Sequence, residues 1–201
     1  MKQKLFTSIG LMSGTSMDGV DISIIQSDGQ YEFHNILDEY FEYDADLQAE
    51  LIRLRNLVLN QNDLLKNSEE LANLERKITV FHAEKINHIL LEYKNEIDLI
   101  GFHGQTIFHN PQKKITKQLG DGNLLSQLLK KKVVYDFRQK DIENGGQGAP
   151  LTPIFHYLLS NVINEKFKTG FPIGFINIGG ITTGNSLSRV RVISLKVAPF
   201  T

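Results

Sequence analysis

Apolar residues alternate with polar ones at the start of the chain. Leu5 to Met12 reads as a buried strand, and Val20 to Gln26 as a second, with Val20, Ile22 and Ile24 on one face. Between them lie eight small or polar-rich positions, "GTSMDGVD", Gly14 to Asp21. "SDGQ", Ser27 to Gln30, holds an Asp-Gly turn signal, and Tyr31 to Tyr43 reads as a third strand. These segments predict an antiparallel meander. The spacing then changes to a helical period. Asp46 to Asn60 is a predicted helix, with Asp44 or Asp46 as its cap. Ser68 to Tyr93 is a longer one, with Leu71, Leu74, Ile78, Phe81, Ile86, Ile89 and Tyr93 near helical spacing. His82 and His88 on this helix are expected at its surface or boundary.

Further on, "IDLIGF" (Ile97 to Phe102) is a compact apolar strand that ends in polar "HGQT". Lys117 to Gly120 is a short segment, and Asn123 to Lys131 a helix. "VVYDF" (Val133 to Phe137) reads as another buried strand, Pro153 to Asn164 as a helix, and Phe171 to Ile178 as a last strand running into "NIGG". Three strands followed by alternating helices and strands make an α/β protein with a mixed sheet.

Four strands finish in polar, glycine-rich segments: "GTSMDGVD", "HGQTIFHNP" (His103 to Pro111), "DFRQKDIENGGQGAP" (Asp136 to Pro150) and "NIGG" (Asn177 to Gly180). Ligands of open α/β sheets bind beyond the carboxyl ends of strands, so four such ends point to one cleft. In the first segment Gly14 and Gly19 permit a tight turn, and Thr15, Ser16 and successive backbone N–H groups suit an anion. Asp18 and Asp21 would repel a bare phosphate and make sense beside Mg²⁺ or a substrate hydroxyl. A plain Asp-Gly hairpin turn explains the spacing equally well, because the segment is neither a Walker A loop nor a dinucleotide fingerprint.

His103 and Gln105 are candidates to face a sugar or phosphate, although a histidine satisfied within its own loop is the more ordinary reading. His103 and His109 lack a third ligand at zinc spacing. Asp136, Arg138 and Asp141 can orient a hydroxyl or hold a cation, or else form a structural pair and a helix cap. "NGGQGAP" (Asn144 to Pro150) requires irregular backbone, and a demanding loop of this kind is more often functional than decorative.

Composition narrows the classes. The 201 residues are 41% hydrophobic and 22% charged, enough to bury a core. Net charge is -1, with 22 Lys and Arg against 23 Asp and Glu, which argues against a general nucleic-acid or anionic-membrane binder. Lys130 to Lys132 reads as solvated charge at a helix end. There is no cysteine, so disulfides and thiolate metal sites are excluded. The amino terminus is too short and too interrupted for a membrane span, and a cytoplasmic protein is expected.

Taken in order, "GLMSGTSMDGVD" (Gly10 to Asp21), "GFHGQTIFHNP" (Gly101 to Pro111), "QLGDGNLL" (Gln118 to Leu125), "VVYDFRQKDIENGGQGAPLTPIFH" (Val133 to His156) and "INIGGIT" (Ile176 to Thr182) resemble the anhydro-N-acetylmuramic acid kinase family. The resemblance implies the actin-like ATPase (ribonuclease H-like) fold, in which ATP lies between two related α/β domains. It implies a reaction that uses ATP, Mg²⁺ and water to open an anhydro amino sugar, giving N-acetylmuramic acid 6-phosphate in cytoplasmic peptidoglycan recycling. The family's ATP-binding segment maps onto Gly14, Thr15, Ser16, Met17, Asp18, Gly19, Val20 and Asp21. His103, Gln105, Asp136, Arg138 and Gln147 are the candidates on the sugar side, and the metal ligands are unassigned.

The resemblance also implies a departure. The family continues with a second domain whose Asp-x-Gly-Pro-Gly-Asn segment carries the base. Here the expected division is a first domain over 1–170, one strand of a second over 171–182, and a divergent tail over 183–201. Asp136 or Asp141 is a candidate substitute base. The expected partner is a second copy in a homodimer or a separately encoded second half. Three readings stay open: a sugar kinase completed by a separately encoded second half, a non-catalytic nucleotide- or sugar-binding module, and a non-functional remnant. Little activity is expected of the chain alone.

Overall fold

The computed structural model of the chain describes residues 4–168, 170, 173–177, 182–188 and 191–197. The chain divides into two compact units, 1–148 and 149–201, so the boundary expected near residue 170 lies inside the second.

The first unit is built on a mixed sheet. Strands β1 (Phe6–Ser13), β2 (Gly19–Ser27) and β3 (Phe33–Glu42) form the expected antiparallel meander. Strand β4 (Leu99–Asn110) then pairs parallel to β1 on its other side. The sheet order is β3-β2-β1-β4-β5, with β5 (Ile115–Leu119) antiparallel to the second half of β4 and β6 (Val133–Tyr135) parallel to its first half.

One face of this sheet is covered. Val20, Ile22 and Ile24, each with no exposed area, join Ile9 and Leu11 of β1, Ile100 and Phe102 of β4, and Ala83, Ile86 and Ile89 of α3 (Ser68–Glu92). A second cluster packs α1 (Ala45–Leu57), through Leu47, Leu51 and Leu54, against Leu71, Leu74 and Ile78 at the start of α3. The apolar stripe of α3 runs through both clusters, which is why a single 25-residue helix holds the unit together. The Asp44 carboxylate caps α1 by accepting the Leu47 N–H at 2.8 Å. Asp121 caps α4 (Gly122–Leu129) by accepting the Leu124 N–H at 2.9 Å, so the acid of "QLGDGN" is a helix cap.

Several expectations are corrected. "HGQT" is not a loop: β4 runs through it to Asn110. "VVYDF" stops at Tyr135, with Val134 and Tyr135 exposed, and Asp136 turns into the left-handed region (φ 61°) to start helix α5 (Phe137–Glu143). Neither α5 nor the single-turn α2 (Gln61–Lys66) carries a strong apolar period, and neither was foreseen. His82 is fully buried, not a boundary residue, because its ring sits 5.0 Å from that of Phe102, whereas His88 is exposed as expected.

The second unit holds α6 (Pro153–Phe167) and an antiparallel sheet, β7-β8-β9, over Ile173–Asn177, Thr182–Ser188 and Arg191–Val197. Within the tail from Thr183, 183–188 and 191–197 are strand. Within "NIGG" only Asn177 is described; Ile178 to Gly180 lie outside the described residues. No helix among the described residues is long and apolar enough to cross a membrane.

Ile22, at the centre of β2 with 0% exposure, sets the scale of the core. Ile22→Ala is expected to cost about 2–5 kcal/mol, read as a lowered urea midpoint at unchanged slope. Ile36→Ala, at a site 43% exposed, is expected to move the midpoint by less than about 0.5 kcal/mol equivalent.

Candidate functional site

Three of the four polar strand ends come to one edge of the first sheet. The parallel registers set Leu11 of β1 beside Phe102 of β4, and Phe102 beside Tyr135 of β6. The chain segments just beyond these points are Gly14 to Asp18, His103 with Gly104, and Asp136 to Arg138. This is the carboxyl edge at which open α/β sheets take ligands.

A bulge in β4 makes the arrangement. Leu11 pairs with Phe102, but Ser13 pairs with Gln105, so two residues of β4 oppose Met12 alone. Gly104 takes the extra residue at φ +71°, a conformation that side chains other than glycine rarely adopt. Burial along β4 changes phase there: Ile100, Phe102 and Gly104 are buried, then Gln105 and Ile107. The one-residue shift turns Gln105 to the inside.

Gln105, with no exposed area, closes a buried polar node. Its Nε2 donates to the Gly14 carbonyl at 2.8 Å, and its Oε1 lies 2.7 Å from the Ser13 hydroxyl. Ser13 Oγ is also 2.8 Å from the Gly19 carbonyl and 2.7 Å from the Tyr43 hydroxyl. The Gly19 carbonyl and Gln105 Oε1 can only accept, so the Ser13 proton is committed to them and the Tyr43 hydroxyl, its pKa raised to about 12 by burial, donates to Ser13. Ser13 then shares its single proton between the Gly19 carbonyl and Gln105 Oε1. Both ends of the Gly14–Gly19 loop are thus tied to one point.

Within the loop, Met17 is 1% exposed and lies in the second core cluster, in the left-handed region at φ 58°. Sinking Met17 leaves Thr15, Ser16 and Asp18 exposed around it. Ser16 donates to Asp18 Oδ1 at 2.6 Å, and the Asp18 carbonyl accepts the Tyr43 N–H at 2.9 Å. Gly19 has to be glycine, because a Cβ would run into the Phe41 carbonyl and the Tyr40 ring. Val20 is core, and Asp21 is exposed on the opposite face of β2, its carboxyl pushed above its usual range by burial and by Asp18 and Asp38.

The other side of the edge is cationic. His103 Nδ1 lies 2.6 Å from the Gly104 carbonyl, which can only accept, so Nδ1 carries the proton. Nε2 then accepts the Arg138 Nε–H at 2.8 Å, and Arg138 Nη1 donates to the Gly148 carbonyl at 2.6 Å. Burial, and then Arg138, push the His103 pKa down to about 4, so the ring is a neutral acceptor. The Gly148 N–H donates to Asp141 Oδ2 at 2.7 Å. Asp141 and Arg138 therefore shape the loop before Ala149. Asp136 is exposed at the head of α5, its carboxyl raised by burial and by Glu143, and Gln147 is exposed on the loop. His109 lies on the second half of β4, 3.0 Å from Thr116 Oγ1. Among the described residues no cluster of three His, Cys, Asp or Glu is placed to hold a metal.

The sequence reading did not single out Ser13 or Tyr43. Ser13 shares the buried phase of Ile9 and Leu11, and a hydroxyl at such a position requires a partner. The glycine inside a strand was the other available signal, since it marks a bulge.

A sequence model of the anhydro-N-acetylmuramic acid kinase family matches residues 6–190. The chain is 57% identical over 179 residues to the anhydro-N-acetylmuramic acid kinase of Pelagibacter ubique, covering 89% of this chain and 47% of that protein. It is 41% identical over 179 residues to that of Agrobacterium fabrum, covering 88% and 48%. It is 40% identical over 182 residues to that of Brucella canis, covering 87% and 47%. The chain spans about half the length of the curated relatives it matches.

Two outcomes are expected from the buried groups. Gln105→Ala leaves the Gly14 carbonyl without its donor in a buried setting and should cost about 1–3 kcal/mol, measured by urea unfolding. His82 and His103 both have folded pKa values lowered to about 4, chiefly by burial, against 6.5 when unfolded. The unfolded chain binds more protons between these values. The stabilisation is therefore complete above about pH 6.5 and lost as pH falls towards 4, by on the order of a few kcal/mol. Urea midpoints taken between pH 7.5 and 4.5 should trace this decline, and His82→Phe should flatten it.

Proposed function

The chain belongs to the anhydro-N-acetylmuramic acid kinase family, and on that premise we propose that it carries the phosphate-binding wall of an ATP-dependent sugar kinase. Its fold is the mixed α/β, actin-like ATPase type of that family. The proposed reaction moves the terminal phosphoryl group of ATP to O6 of 1,6-anhydro-N-acetylmuramic acid while water adds at C1. The products are N-acetylmuramic acid 6-phosphate and ADP.

One observation carries this reading. The Gly14–Asp18 loop is held from both ends by the Ser13–Gln105 node, with Met17 buried and Thr15, Ser16 and Asp18 exposed at the carboxyl edge of the sheet. A hairpin turn needs no such anchoring, whereas a loop that cradles phosphates must hold its N–H groups in place before the ligand arrives. Phosphoryl transfer depends mainly on positioning and charge neutralisation.

Of the segment Gly14 to Asp21, the loop Gly14 to Asp18 would hold the nucleotide phosphates, while Met17 and Val20 turn their side chains into the core. Mg²⁺ is usually held by one or two carboxylates together with substrate phosphates, and the two exposed acids, Asp18 and Asp21, fit that role. Burial, and then Asp18 and Asp38, raise the Asp21 pKa, and a cation beside these carboxylates would favour their charged form. When bound, the metal would neutralise charge on the phosphates. His103, Asp136, Arg138 and Gln147 stand on the sugar side. Gln105 has both ends of its amide engaged, so it acts by placing the loop. ATP use and the lack of cysteine favour the cytoplasm.

Calorimetric titration of Mg-ATP into the chain is expected to show binding that Gly19→Ala weakens by about tenfold or more, or about 1.4 kcal/mol. ADP release on adding the anhydro sugar reports turnover. Binding without release identifies a nucleotide-binding module, and a wild-type chain that binds no Mg-ATP would falsify the kinase reading.

A further inference from the structure

Arg138 is a half-buried cation with no ion-pair partner among the described residues. Of the five N–H bonds of a guanidinium, one on Nε goes to His103 and one on Nη1 goes to the Gly148 carbonyl. The remaining three have no acceptor among the described residues. None of the ion pairs among the described residues includes Arg138. The acids on its own helix are engaged elsewhere: Asp141 Oδ2 accepts the Gly148 N–H at 2.7 Å, and Glu143 pairs with Lys140 at 2.9 Å. Burial alone lowers the Arg138 pKa from its usual value, with no carboxylate opposing it. Proteins rarely withdraw a cation from water without an anion to meet it.

The guanidinium is also fixed in place. His103 and the Gly148 carbonyl hold two of its edges, and His103 is itself held by the Gly104 carbonyl. The free donors, one on Nη1 and two on Nη2, are therefore held in place, and the Nη1–Nη2 edge suits a two-oxygen anion. Its place in the sheet separates it from the phosphate loop. Arg138 follows β6, the loop follows β1, and β4 lies between them, a gap of two strand spacings, or roughly 10 Å.

We propose that Arg138 anchors the carboxylate of the acceptor sugar, the acid group that separates a muramic acid from a plain N-acetylhexosamine. The assignment rests on the kinase reading of the same edge and gives it a determinant of specificity. Nucleotide phosphates bind on the loop side and the acidic arm of the sugar at Arg138, so the transferring group lies between them.

The test uses the full chain and three probes in calorimetry: N-acetylmuramic acid, N-acetylglucosamine and Mg-ATP. The wild-type chain should bind the acidic sugar about tenfold or more tighter than the neutral one. Arg138→Gln should abolish that preference and leave the Mg-ATP Kd within about twofold of wild type, a 1.4 kcal/mol change being tenfold. Arg138→Lys keeps the charge and loses the fork, so it should retain only part of the preference, and it replaces Arg138→Gln if the latter fails to fold by circular dichroism. Unchanged preference in the variants overturns the proposal. So does a fall in Mg-ATP affinity with the sugar preference intact, which would make Arg138 a phosphate ligand. A wild-type chain that binds Mg-ATP but shows no preference sinks this assignment alone. One that binds no Mg-ATP sinks the kinase reading with it.

Discussion

The hydroxyl of Ser13 is the point on which the candidate site depends. It lies within hydrogen-bond distance of the Gly19 carbonyl, the Tyr43 hydroxyl and Gln105 Oε1, all in the buried interior. Gln105 in turn holds the Gly14 carbonyl. These contacts join the end of β1, both ends of the loop, the residue after β3 and the middle of β4. A buried hydroxyl with polar neighbours on three sides is costly to leave unsatisfied. The node therefore fixes the width of the loop. Met17 adds an apolar anchor beneath it.

The bulge at His103 and Gly104 makes this node possible. Without the extra residue, Gln105 would follow the alternation of Ile100 and Phe102 and face the other side of the sheet. With it, the same strand supplies Ile100 and Phe102 to one core cluster and Ile107 to the other. The bulge also places His103 where Arg138 can reach its Nε2. One left-handed glycine thus shapes both sides of the candidate cleft.

Charge is divided across that edge. Asp18 and Asp21 lie with the loop, and Arg138 lies two strands away beside a histidine held neutral by burial. Here β4 keeps them apart, and each side is left suited to a different partner: a cation with phosphates on one side, an anionic oxygen group on the other.

The sequence by itself determined the elements with a strong period: the meander through Ile22 and Ile24, the cap at Asp44, and the long helix through Leu74, Ile78 and Ile86. It also marked the segments that make the edge as polar, glycine-rich strand ends, although turn chemistry alone favours the same residue types. Local pattern could not place His82, whose burial depends on Phe102 from a distant strand, or α5, which is too short to show a period. Nor could it separate residues that touch a ligand from residues that hold others in place. Gln105 and Asp141 look like site residues in sequence, yet hydrogen bonds within the fold occupy the Gln105 amide and one Asp141 oxygen. Arg138 looks like half of an Asp-Arg pair, yet it meets no acid among the described residues. Only the tertiary structure decided these points, because a hydrogen bond or an unpaired charge is a property of neighbours far apart in the chain.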